Sequence, residues 1–320
     1  MIRVNLPELC LLGLCLTLPA GAALAQEVSE DAIVKAQWWT GPLVAPSPAP
    51  FAQGVLGVEP YFLDKRGDGA FDNNGTLHST PPGGDQLRSF VSLQYGVTGD
   101  LGVQIVPAIV HSLNGSAATG LGDLPIRVKY RLFRGHPGFW HPQFNLVAGV
   151  TLPIGRYDNL RKASDGFGSG AVTAMQQAML QSVFATGGHA NRMRLWATAS
   201  EPLANARLHG ISTYGTGAGF DGTAVPGNAA EIGIADEFGI DRRWVLALDV
   251  VQDFGKGTHL RAQGYGGAML DVATSGFSVA PALEYNFSGS IGVIAGAQIS
   301  TTGRNSSATI IPQVAVNMFF

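Results

Sequence analysis

Between residues 123 and 132 charge and bulk alternate without a break: Asp123, Arg127, Lys129 and Arg131, with Pro125 among them, take one parity, and Leu124, Ile126, Val128, Tyr130 and Leu132 take the other. A period of two places these sets on opposite faces of a β-strand, whereas a helix would mix them. Faces so unlike need unlike surroundings. The split recurs at 87–97, with Val91, Leu93, Tyr95 and Val97 opposite Arg88, Ser92 and Gln94, and at 143–152, with Phe144, Leu146, Val150 and Leu152 opposite Gln143, Asn145 and Thr151. It returns at 276–287, where Phe277, Val279, Leu283, Tyr285 and Phe287 oppose Ser278, Glu284 and Asn286, and in the last segment, where Ile310, Val314, Val316, Met318 and Phe320 oppose Thr309, Gln313 and Asn317.

Such strands need a second apolar sheet, or lipid, against their bulky face. Charged residues make up 13% of the chain and glycine 43 of 320, which is low in charge for a soluble protein and poor for helix. After residue 25 no apolar run approaches the ~18 residues of a membrane helix. A closed barrel is the remaining way to cross a membrane, because every backbone group is then satisfied between strands.

Export is expected from Arg3, the apolar stretch Leu9 to Leu18 and the small residues ending Ala23-Leu24-Ala25, which read as a signal peptide over 1–25 cut before Gln26. Cys15 follows a poor lipobox, so a lipid anchor there is the weaker reading. Both cysteines, Cys10 and Cys15, lie in that segment, and the rest of the chain has no thiol for a disulfide, for catalysis or for a metal. The net charge of −3 gives no footprint for nucleic acid. No cofactor is expected.

The fold class expected is all-β: an antiparallel up-and-down transmembrane barrel over 51–320, preceded by a proline-rich leader or plug over 26–50. Strands are read near 52–63, 87–98, 101–112, 121–133, 142–153, 171–186, 190–200, 229–240, 244–254, 276–287, 291–302 and 308–320. Short turns at 98–100, 240–243 and 288–290 alternate with long loops at 64–86, 155–170, 201–228 and 255–275, as in bacterial barrels with short periplasmic turns. Phe133, Phe139, Trp140, Trp244 and Phe320 fall near the expected periplasmic ends, where an aromatic girdle belongs. Two points stay open: Ala171 to Phe184, with Met175, Met179, Leu180 and Val183, fits a helical stripe nearly as well as a strand, and a hairpin within 201–228 or 255–275 would raise twelve strands to fourteen. The terminal aromatic after alternating apolar residues resembles the assembly signal of outer-membrane barrels, so lipid and the barrel-assembly machinery are the partners expected besides a small-molecule solute.

Thr40-Gly41-Pro42-Leu43, the stretch from Gly54 through Glu59-Pro60-Tyr61, Gly120-Leu121-Gly122-Asp123-Leu124 leading to Lys129-Tyr130-Arg131, and Pro281-Ala282-Leu283-Glu284-Tyr285-Asn286 together resemble the family of outer-membrane transporters named for the meta pathway of phenol degradation. The resemblance spreads over most of the chain. It implies a barrel that moves hydrophobic or aromatic compounds, similar to hydrophobic-compound channels of the long-chain fatty-acid transporter type, and it carries over no functional residue.

Inward parity assigns Glu59, Arg88, Arg127, Lys129, Arg131, Arg192, Arg194, Glu231, Asp249 and Glu284 to the lumen. Two roles fit them: electrostatic selection of a solute, or ion pairs that fill the barrel. The row Arg127, Lys129 and Arg131 repels itself unless acids or an anionic solute lie opposite, and Glu231, Asp249 and Glu284 are the expected acids. Asp236 falls on the apolar parity of its strand. Gly217-x-Gly219-x-x-Gly222 lacks the strand and helix of a dinucleotide site. Asp64, Asp68 and Asp72 make an incomplete calcium loop. His111-Ser112 is the adjacent pair that a rim hydrolase would use, and a closed structural or adhesive barrel is the third class of function.

Overall fold

The computed structural model describes residues 29–47, 50–79, 84–114, 118–262, 269–270 and 272–320; the segment expected as a signal peptide, with both cysteines, lies outside them. Twelve antiparallel staves close into a barrel. In chain order they are β1 (Leu56–Phe71), β2 (Gln86–Gly96), β3 (Leu101–Ile105 continued by Ala108–Ser112), β4 (Thr119–Leu121 continued by Leu124–Phe133), β5 (Gln143–Leu152), β6 (Thr173–Thr186), β7 (His189–Pro202), β8 (Ala229–Gly239), β9 (Trp244–Gly255), β10 (Thr274–Asn286), β11 (Ile291–Arg304) and β12 (Ser306–Phe319). Each pairs with its sequence neighbour, and β1 closes the ring by pairing with both β2 and β12. Of residues 171–184, 173–184 are strand, because their alternate side chains meet two unlike faces: Met179 is buried inside while Leu180 is exposed outside.

Large apolar residues stand at outward positions all round the barrel, among them Phe62, Leu93, Val128, Leu195, Ile232, Leu246 and Leu283, all exposed. In water such a surface would cost about 25 cal/mol for each Å² of it, and in lipid it costs nothing. At the end that carries the short turns, Phe133, Phe139, Trp140, Trp244 and Phe320 are all exposed, forming the girdle of an interface. A two-residue turn, Gly187-Gly188, joins β6 and β7, and both residues have positive φ (60° and 84°), the conformation a two-residue hairpin demands.

Three boundaries differ from the sequence reading. β1 runs on to Phe71 by pairing with β12 (Arg66 opposite Ile310, Phe71 opposite Ser306), so 64–71 is not loop. β3 and β4 are each interrupted, at Val106-Pro107 and at Gly122-Asp123, the first where a proline has no amide for the ladder. The loops 203–228 and 256–273 add no stave: their strands Ala206–His209, Asp221–Val225, Thr258–Ala262 and Met269–Leu270 form a separate four-stranded sheet beyond the long-loop end. They have Ala206, Leu208 and Ala224 as a small core of their own, with Ala171 of the neighbouring loop.

Ahead of β1 the chain forms a short helix, α1 (Glu30–Ala36), capped by Ser29 and carrying acids in its first turn and Lys35 in its last, as the helix dipole favours. It lies at the short-turn end, where Glu30 accepts a bond from the Ala185 amide (3.1 Å). Trp38 follows under the Arg242 guanidinium, 4.0 Å from its ring centre. From Trp39 the chain turns into the barrel.

Candidate functional site

Residues 39–47 lie in the lumen, touched by inward side chains from all round the wall. Leu43 is buried against Ala247, Ala280, Ile294 and Ala315, and Ala45 against Val147, Met179, Trp196, Ala235 and Val251. The alanines at inward positions of β8, β9, β10 and β12 leave the width this segment fills. Its prolines have no amide to satisfy, and the amides that remain find barrel carboxylates. Asp249 Oδ2 accepts from Leu43 and Val44, both at 3.0 Å, and Oδ1 accepts from Ala45 at 3.3 Å. Glu284 Oε2 accepts from the Thr40 amide (2.7 Å), the Thr40 hydroxyl donates to Asn286 Oδ1 (3.1 Å), and Asn317 Nδ2 donates to the Thr40 carbonyl (2.6 Å).

Cations hold the returning limb. Lys129 Nζ donates to the Ser47 carbonyl at 2.8 Å and to Gln94 Oε1 at 2.6 Å, and Arg131 Nη2 donates to the Pro50 carbonyl at 2.9 Å. The row on β4 is therefore not met by the acids expected for it. Asp249 and Glu284 take amides of the inserted segment instead, and the acid within ion-pair range of the row, among the described residues, is Asp100, 3.7 Å from Arg131 at the rim. Carbonyl dipoles and amide side chains stand in for counter-ions.

The other inward charges divide into an inner and an outer group. Toward the short-turn end, Arg192 and Arg194 share Glu237: Arg192 Nε donates to it at 2.6 Å with Nη2 alongside, and Arg194 Nη2 lies 3.4 Å away. Arg192 also covers the Trp39 ring at 4.6 Å, and Arg194 Nε donates to Gln181 (2.8 Å). Glu59, opposite Ser92, lines a cavity of ≈ 180 Å³ together with Tyr61, Arg192 and Arg194. Toward the long-loop end, Arg88 stands opposite Val110 with its guanidinium over the Phe90 ring (5.8 Å). Arg127 donates to Gln104 (3.3 Å), and Glu231 accepts from the Trp196 indole (2.5 Å). A second cavity, ≈ 290 Å³, is lined by Arg127, Glu231, Thr151 and Gln177 and touched from below by Val44 and Pro46.

Sequence reasoning missed Glu237 and Trp196. Glu237 shares the parity of Glu231, but Asp236 beside it blurs the pattern. Asp236 faces outward between Met193 and Leu248, exposed.

The long loops are tied to the mouth through Asp123, which accepts from the amides of Gly155 (3.0 Å) and Ser169 (2.8 Å) and from the Ser169 hydroxyl (2.8 Å). Tyr214 donates to the Ser169 carbonyl (2.5 Å); loss of water, with Asp123 and Tyr157 nearby, pushes its hydroxyl up to about 12. The other motifs dissolve. His111 and Ser112 point to opposite faces: His111 bonds Thr119 (2.7 Å) while Ser112 is wholly buried. Asp64 pairs with Arg66 (2.7 Å), and Asp72 accepts from Asn74, Thr76 and His78. Gly222 lies in a strand, with no helix following.

No family model and no curated protein matches the sequence. Among solved structures, an outer membrane channel from Pseudomonas putida F1 superposes with a TM-score of 0.66 at 15% identity, over 87% of this chain and 100% of that one, which establishes a shared barrel fold. A mutant of the TodX monoaromatic hydrocarbon channel aligns over 86% of this chain and 90% of that one at 11% identity, but its TM-score of 0.34 carries no weight.

Proposed function

We propose that this protein is a passive outer-membrane channel for a small hydrophobic or aromatic compound, stoppered by its own residues 39–47. One observation carries the reading: the segment enters and leaves by the same end of the barrel and is held inside by hydrogen bonds to Asp249, Glu284, Asn317 and Lys129. Such a loop can withdraw without threading. The solute class comes from the sequence resemblance, and Val44, Pro46 and Met175 give the outer cavity an apolar side. On this reading the short turns lie in the periplasm and the separate four-stranded sheet faces the exterior.

Flux into liposomes carrying the refolded protein tests it, with phenol and a small sugar as solutes and protein-free liposomes as the baseline. Phenol flux above the baseline, rising in a variant with residues 39–47 replaced by a short glycine linker, is the expected result. Absence of flux in both proteins would move the reading to a closed structural barrel, which the filled lumen itself favours.

A further inference from the structure

The outer cavity has a charge on each of two facing walls, and neither is neutralised by an ion pair. On β4, Arg127 spends one donor on Gln104, and its Nε is buried with no partner among the described residues. On β8, Glu231 accepts from Trp196 through Oε1. No carboxylate lies within ion-pair range of Arg127 among the described residues, although Glu231 lines the same ≈ 290 Å³ space. Asp253, the cross-strand partner of Glu231, adds to the negative wall from β9. Between the walls stand the hydroxyls of Thr151, Thr173, Thr198 and Ser200.

A site of this form ranks solutes by charge. A lone carboxylate that reaches Arg127 also meets Glu231 and Asp253; a lone ammonium at Glu231 also meets Arg127. A neutral compound leaves both charges to be desolvated without return. A molecule with both charges a few ångströms apart answers both walls, and a guanidinium with free donors suits a carboxylate in particular. Val44, Pro46 and Met175 then offer an apolar surface for the rest of it.

From this arrangement we infer that the outer cavity is a binding site for a small zwitterion with an apolar side chain, an α-amino acid in chemical class, with its carboxylate on Arg127 and its ammonium on Glu231. The inference rests on the lumen being a solute path and adds a zwitterionic class to the compounds it takes. The test is equilibrium binding to the intact refolded protein in detergent, using L-phenylalanine, 3-phenylpropionate (the carboxylate alone) and phenethylamine (the ammonium alone). Phenylalanine binds at least tenfold more tightly than either analogue. Arg127→Gln abolishes its advantage over phenethylamine, and Glu231→Gln its advantage over 3-phenylpropionate. Both variants are checked for the heat-modifiable band of a folded barrel, and the second protects the test should the first not fold.

Equal binding of the three ligands, no binding of any, or unchanged phenylalanine affinity in both folded variants would overturn the inference. Binding is read without transport, so the two readings fail separately. A protein that passes phenol but does not prefer phenylalanine sinks this inference alone, and one that binds phenylalanine but passes nothing sinks the channel.

Discussion

Asp249 and Val44 meet at 3.0 Å in the middle of the barrel, a wall carboxylate accepting from a backbone amide of the inserted segment, with the amides of Leu43 and Ala45 on the same group. Three consecutive N–H groups converging on one anion make a nest, which locks the turn of the segment where the lumen would otherwise be open.

Asp249→Asn keeps the size of the side chain but removes its charge and gives one of its two ends hydrogens that face the amides. A hydrogen bond to a charged group is worth about 1.5–3 kcal/mol, so the segment should leave its seat at least tenfold more often. The absence of cysteine after Cys15 supplies the readout. A thiol placed by Val44→Cys in residues 26–320 should react with a membrane-impermeant maleimide at least tenfold faster when Asp249→Asn is also present. Equal rates would mean that the carboxylate does not hold the segment.

Gly233 bears on the same region from β8. A Cβ built there stands 2.1 Å from Cζ2 of Trp196, whose indole donates to Glu231. Gly233→Ala therefore has to push the ring aside, and overpacking of this sort costs about 1–3 kcal/mol. Gly276, where an added Cβ would meet nothing within 4 Å, is the control; Gly276→Ala should stay within about 0.5 kcal/mol. Denaturant midpoints in detergent decide the matter, and an unchanged midpoint for Gly233→Ala would show that Trp196 has room to move.

The barrel was legible because lipid enforces a period of two: the stave expected at 244–254 is Trp244–Gly255, and the one expected at 276–287 is Thr274–Asn286. Where lipid does not reach, the runs are too short for the period to be read. The loop strands at Ala206–His209 and Asp221–Val225 do alternate, Ala206 and Leu208 buried against exposed Arg207 and His209, but over four or five residues, too few to announce a strand. The seat of residues 39–47 was hidden for another reason: its bonds join Leu43 to Asp249 and Thr40 to Glu284, and no local pattern encodes partners so far apart in the chain. A trace of it did exist in the inward alanines at 235, 247, 280 and 315, which clear space that larger residues would have filled.

Asp236 is the exception to the lipid-facing rule, exposed on the outer face between Met193 and Leu248. It sits one outward position from Phe238, close to the girdle, where the cost of an acid facing lipid falls to about 1 kcal/mol or less. Asp236→Leu should raise stability by up to about 1 kcal/mol in reversible unfolding from lipid vesicles. A loss of stability would point to a cation, from lipid or protein, that the carboxylate holds.

Asp241 shapes the short turn between β8 and β9, its Oδ1 accepting from the amides of Trp244 (2.8 Å) and Arg243 (2.7 Å). These bonds, the Trp244 one foremost, hold its carboxyl below the usual carboxylate range. The sign follows from the direction of the shift. An aspartate with a depressed folded value contributes stability that is complete above its unfolded value, roughly 4, and that is lost as pH falls through the lower folded value. The turn should therefore keep its order from neutral pH down to about 4 and loosen below it. Hydrogen exchange of a peptide spanning 240–245, corrected for the intrinsic effect of pH on exchange, should show protection falling in that acid window. In Asp241→Asn the side-chain oxygen still accepts but does not titrate, so protection there should be lower at neutral pH and flat across the window. Identical profiles in the two proteins would remove Asp241 as the acid-sensitive element of this turn.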